Sequence, residues 1–80
     1  MTVTVHLFAR AKELAGDRVA VELPAGTTVG VLRGELAAAF PALAPLLERS
    51  AVAVNHDFAE TDRVIEIGDE VAVIPPVSGG

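Results

Sequence analysis

Gly68-Asp69-Glu70-Val71-Ala72-Val73-Ile74-Pro75-Pro76-Val77-Ser78-Gly79-Gly80 is the stretch that decides the fold and use of this chain. Val71 and Val73 alternate with Ala72 and Ile74, the period of a strand with one buried face. The strand runs into two prolines without a polar linker, and no charged residue follows Glu70. Proline fixes φ near −65° and stiffens the exit from the body. Gly79 and Gly80 have no Cβ and leave the end thin. Extended, Pro75 to Gly80 spans roughly 20 Å, at about 3.3–3.6 Å per residue. Such a tail suits a narrow pocket in another protein, and the Gly80 carboxylate is expected to be its free tip. A glycine α-carboxylate has a reference pKa of about 3.3–3.7, so at neutral pH it is ionised and a poor electrophile. Activation has to come from outside. The chain has no Gly-x-x-x-x-Gly-Lys phosphate loop, and Lys12 is its one lysine.

Upstream, Val3, Val5 and Leu7 alternate with Thr4, His6 and Phe8, which predicts a first strand. Lys12-Glu13-Leu14-Ala15 reads as a single helical turn closed by Gly16-Asp17. A second strand follows, with Val19, Val21 and Leu23 inward, and Pro24-Ala25-Gly26 ends it. Thr27 or Thr28 can cap a helix that runs to about Phe40. Val29, Leu32, Leu36 and Phe40 (or Ala39) form its buried stripe. Gly30 and Gly34 weaken that helix and are expected to let it lie close to a sheet. Pro41 stops it, and Leu43, Leu46 and Leu47 cover an edge of the core. Ala51-Val52-Ala53-Val54 is a short strand ending in the turn Asn55-His56-Asp57. Any strand between Phe58 and Ile67 is placed around Val64-Ile65. The pattern is an α+β roll with one main helix across a mixed sheet of four to five strands, a single domain over residues 1–80 with 75–80 as a projecting tail.

Composition narrows the functions. Eighty residues, 51% hydrophobic with three Phe and no Trp or Tyr, build one small core from Val, Leu, Ile and Ala. No apolar run approaches a membrane span, and the N-terminus lacks signal-peptide form, so a soluble cytoplasmic protein is expected. The absence of cysteine excludes disulfides, thiolate metal sites and a cysteine nucleophile. Eleven acids against six bases give a net charge of −5, which disfavours nucleic acid and favours partners with basic surfaces. His6 and His56 have no companion ligands at metal-binding spacing, so no metal is expected. Asp69 and Glu70 are adjacent, so they face opposite ways in a strand and do not make a carboxylate pair; a tight turn accounts better for Asp69.

With these pieces in hand, the chain resembles the sulfur-carrier branch of the small β-grasp (ubiquitin-like) proteins, and within it the small subunits of molybdopterin synthase. The resemblance rests on Leu7-Phe8-Ala9, Lys12-Glu13 and Gly16, on Val54-Asn55, and on Gly68-Asp69-Glu70-Val71-Ala72 running through Pro75-Pro76-Val77-Ser78-Gly79-Gly80. It spans essentially the whole chain. It implies that an E1-like adenylyltransferase uses ATP to convert the Gly80 carboxylate to an acyl-adenylate, and that a persulfide donor supplies sulfur in place of AMP. The thiocarboxylate then enters the large subunit's active site and attacks a cyclic pyranopterin precursor, two transfers building the dithiolene. On the same resemblance, the chain is non-catalytic alone, binds no cofactor and joins a heterotetramer of two small and two large subunits. Gly79 supplies slimness, and Val77, Ser78, Pro75 and Pro76 give the partner something to grip. Lys12 keeps a positive charge where many relatives carry arginine. Strand alternation points Phe8 and Ile74 away from the helix, and the fold that the resemblance implies sets the last strand beside the first, so the two are expected to form an apolar patch at the tail's root; the alternative is a curled sheet in which both are edge core. The alternatives are a carrier for thiazole, cysteine or tRNA thiolation, a ubiquitin-like modifier of lysines, and an inert interaction module.

Overall fold

The computed structural model describes residues 1–76. Val77, Ser78, Gly79 and Gly80 lie outside the described residues, and with them the expected reacting group and much of the expected grip. The elements are β1 (Thr2–Leu7), α1 (Ala9–Ala15), β2 (Arg18–Glu22), α2 (Val29–Ala39), a 3-10 turn (Pro41–Leu43), α3 (Ala44–Leu47), β3 (Ala51–Val54), β4 (Asp57–Phe58) and β5 (Val71–Ile74). The strands form one mixed sheet in the order β2-β1-β5-β3-β4. β5 lies parallel to β1 and antiparallel to β3.

Alternation in the sequence becomes two faces of this sheet. In register across three strands, Leu7 meets Val73 and Val52, and Val5 meets Val71 and Val54. All six are buried, as is Val3 beside Val21. Against this face lies α2, with Val29, Leu32 and Leu36 completely buried. Each such side chain contributes about 1.5–3 kcal/mol of transfer free energy, so this stripe fixes the helix on the sheet. Thr28 is the cap, its side-chain oxygen accepting the Val31 N–H at 3.3 Å. Thr27, the other candidate, is buried and donates to the Pro24 carbonyl at 2.6 Å. Pro41 ends the helix, and Leu43, Leu46 and Leu47 close one side of the core.

Four local expectations are corrected. α1 has seven residues rather than one turn, because the alanine-rich start favours helix and Ala11 is fully buried. The short strand is Asp57–Phe58 and not Val64-Ile65: Asn55 and His56, with φ of 52° and 71°, make a two-residue hairpin turn that folds Phe58 back onto Ala53. Val64 makes an isolated bridge to Thr28, while Ile65 plugs the core. Gly30 does permit a close approach, but to Thr61 rather than to the sheet: a Cβ there would sit 2.5 Å from the Thr61 methyl. Around Gly34 the space is open.

The chain leaves the sheet from its middle. Pro75, expected to begin the projection, is buried, and Pro76 is the first exposed residue after Ile74. Among the described residues no single helix is long and apolar enough to cross a membrane. The two segments that reach that length together are bent by 118° and carry the core leucines.

Candidate docking site at the root of the tail

The open sheet face carries a second row of residues in register. His6 on β1 is level with Ala72 on β5, Ala72 with Ala53 on β3, and Ala53 with Phe58 on β4. Two alanines in the middle of the row leave a low floor between taller neighbours. Phe8, His56, Phe58, Glu70 and Ile74 rise around it and enclose a cleft of about 250 Å³. Among the described residues seven large apolar side chains are exposed, and three of them, Phe8, Phe58 and Ile74, line this one cleft. A concentration of apolar surface at one spot marks a contact site, where scattered residues would not.

Local chemistry explains how the walls are held. Phe8 stands where β1 gives way to α1; its carbonyl accepts the N–H groups of Ala11 and Lys12 at 3.1 and 3.3 Å, and its ring makes no capping contact. The next residue, Ala9, has a φ of 51°, a left-handed value that turns the chain sharply there. The far wall is locked by Asn55. Its amide donates to Asp69 Oδ1 at 3.0 Å, its side-chain oxygen accepts the Glu70 N–H at 2.9 Å, and its own N–H donates to the Glu70 carbonyl at 2.8 Å. Asp69 also accepts the Glu66 N–H at 2.8 Å across the turn at Gly68, whose φ is 88°. Chiefly that backbone hydrogen bond, and then the Asn55 amide, hold the Asp69 carboxyl below its ordinary 3.8. His56 Nε2 lies 2.8 Å from Glu70 Oε2.

The sequence-based site residues fall in three groups. Phe8 and Ile74 are brought together on the cleft as alternation predicts. Lys12 is on α1, 3.1 Å from Asp17, and shares a different concavity with Pro76. Val77, Ser78, Gly79 and Gly80 lie outside the described residues. Phe58 and His56 were missed, and with them the fact that both histidines line one cleft. The signal was present: Asn55-His56 read as a two-residue turn returns the chain in register and puts Phe58 beside Ala53. Among the described residues no group of three or more His, Asp or Glu could hold a metal ion.

The ThiS family profile matches residues 5–80. The chain belongs to the ThiS family. As a ThiS-family chain it is 40% identical over 81 residues to the molybdopterin synthase sulfur carrier subunit of Dictyostelium discoideum, covering 95% of this chain and 93% of that one. With its counterpart from Arabidopsis thaliana it shares 35% identity over 79 residues, covering 98% and 82%. Among solved structures, SAMP1 of Haloferax volcanii, a small archaeal modifier protein, is similar across the full length of both chains, with a TM-score of 0.86 and 32% identity. The ubiquitin-like β-grasp expected from the sequence is the fold of this ThiS-family chain.

Proposed function

We propose that this chain is the sulfur-carrier small subunit of a molybdopterin synthase, working in the cytoplasm. The observation that carries the reading is the end-to-end similarity to curated sulfur carrier subunits. The chain is inert alone and is charged and discharged by others. An E1-like adenylyltransferase spends ATP to join AMP to the Gly80 carboxylate with release of pyrophosphate, turning a stable anion into an electrophile. The outer sulfur of a persulfide donor then displaces AMP, and a second thiol cleaves the S–S bond of the acyl disulfide so formed, leaving a disulfide on the donor side and the thiocarboxylate on Gly80. The large subunit receives the thiocarboxylate, whose sulfur attacks the cyclic pyranopterin precursor; water then cleaves the acyl–sulfur bond and restores the Gly80 carboxylate, and two such transfers complete the dithiolene. The chain needs no resident cofactor or metal for this; its own residues present and hold the tail. Two copies of each subunit make up the assembly.

The fold's part is positional. β5 anchors the root of the tail between two strands, and the cleft of Phe8, Phe58 and Ile74 stands beside that root. A partner that covers the cleft buries apolar surface and brings its channel to the tail in the same motion. Gly79 and Gly80 let the end pass a constriction that a side chain would block.

Incubation with ATP, the adenylyltransferase and a persulfide donor tests the reading by intact-mass spectrometry. The expected product has one sulfur in place of one carboxylate oxygen. Deletion of Gly80 abolishes it while leaving the melting temperature almost unchanged, and a fully active deletion variant refutes the proposal. The similarity to SAMP1 favours one second reading, a modifier joined to lysines of other proteins. That reading predicts an isopeptide-linked adduct in the same spectrum.

A further inference from the structure

A second concavity abuts the tail, and it shares no residue with the apolar cleft. Arg10, Lys12 and Glu13 of α1 line it, with Arg49 beyond the end of α3 and the exposed Pro76, the last described residue. Three of the chain's six bases therefore line it, with Glu13 as its one lining acid and Asp17 paired to Lys12, in a chain whose net charge is −5. Lys12 is 3.1 Å from Asp17, and Arg10 is 3.9 Å from Glu13. Arg49 forms no ion pair among the described residues, and its N–H bond to the Leu46 carbonyl at 3.1 Å fixes its backbone at the helix end.

The position of Pro76 gives this patch its meaning. A protein that takes residues 77–80 into a channel meets Pro76 at the mouth of that channel. Pro76 is also a wall of the basic concavity, so the rim of the channel and the three bases face each other. We infer that this concavity is a docking surface for carboxylate side chains on the channel rim of the synthase's large subunit, with Arg49 as the anchor. The inference rests on the sulfur-carrier reading and adds to it the charge of the partner's rim. A guanidinium offers paired donors that match a carboxylate, and arginine is the base most enriched at interfaces. The apolar cleft supplies contact area; the basic concavity supplies orientation. With half of its bases gathered beside Pro76 and Arg49 unpaired among the described residues, the molecule is steered toward an acidic rim on this side, and the steering weakens as salt shortens the screening length.

Calorimetry of the full chain with the large subunit, at low salt and at about 0.5 M, tests the inference. Arg49→Glu is compared with Arg63→Glu, which changes the net charge equally at an exposed loop residue that lines neither cavity. Arg49→Glu weakens binding about tenfold at low salt and about twofold or less at high salt, while Arg63→Glu stays within about twofold throughout. Arg49→Gln, which removes the charge without creating repulsion, gives a smaller loss of the same salt dependence and serves if the reversal disturbs folding. Equal effects at positions 49 and 63, an effect insensitive to salt, or no effect of either Arg49 variant overturns the inference and leaves the carrier reading standing. Failure of the unaltered chain to bind the large subunit overturns both.

Discussion

Truncating Phe8 to alanine separates the cleft's role in binding from its role in folding. The side chain is 51% exposed, so about half of its surface still faces water. A phenylalanine buries about 150–250 Å² when covered completely, which leaves roughly 100 Å² for a partner to bury. At about 25 cal/mol per Å² that amounts to roughly 2.5 kcal/mol for full coverage and about 1.5 kcal/mol for partial coverage. Phe8→Ala therefore weakens large-subunit binding by about 10- to 70-fold, with a less negative heat capacity of binding. Folding suffers less. Phe8 has φ −127° and ψ 162°, which alanine adopts freely, and its ring makes no capping hydrogen bond. Val31→Ala is the matched control: 50% exposed, it lies on α2, the helix that covers the other sheet face. Titration calorimetry below the melting point of each variant measures both. Unchanged binding by a folded Phe8→Ala, or equal losses at Phe8 and Val31, refutes the assignment of the cleft as a docking surface.

Two glycines in one helix give opposite outcomes. Gly34→Ala places its Cβ in open space and stabilises by about 0.5–1 kcal/mol, raising Tm by several degrees in thermal denaturation. Gly30→Ala sets its Cβ 2.5 Å from the Thr61 methyl and 3.3 Å from the Thr61 carbonyl. The resulting overpacking costs about 1–3 kcal/mol and outweighs the helix gain of about 1 kcal/mol, so Tm falls. Adding Thr61→Ser relieves part of that loss. Asp69 gives the pH dependence. Its carboxyl is held below the ordinary 3.8 in the folded state, so its contribution is complete above that value and is lost as pH falls through the lower, folded one. Asp69→Asn lowers Tm at neutral pH and flattens the acid limb of a Tm–pH curve; parallel limbs in the two proteins contradict this.

What the sequence discloses depends on how locally each feature is encoded. Strict alternation in β1 and β5 sorts Val5, Leu7, Val71 and Val73 onto one face and His6, Phe8, Ala72 and Ile74 onto the other, and the apolar stripe of α2 decides which of the two is covered. The α2 stripe is equally local. β4 is not: two residues carry no period, and Phe58 finds its place through the turn geometry at Asn55 and His56 and through pairing with Ala53. Only the last turn of α1 is legible, because the alanines of its first turn carry no amphipathic signal and no side chain caps its start. Arg49 escapes for a third reason, since its meaning comes from standing beside Pro76, which is distant in sequence. Gly30 shows the same limit, its clearance being set by the loop at Thr61.

The place of β5 has a consequence for how the protein is made. β5 is the final strand of the described chain to leave the ribosome, and it is also the middle one, holding β1 and β2 on one flank and β3 and β4 on the other. Until Val71 to Ile74 emerge, the nascent polypeptide has two unjoined flanks and no shared hydrogen-bonding seam. Folding of the sheet therefore waits until Ile74 has been made. A chain cut short before Val71 lacks the strand that closes the sheet, and is left to the proteases that clear unfolded chains.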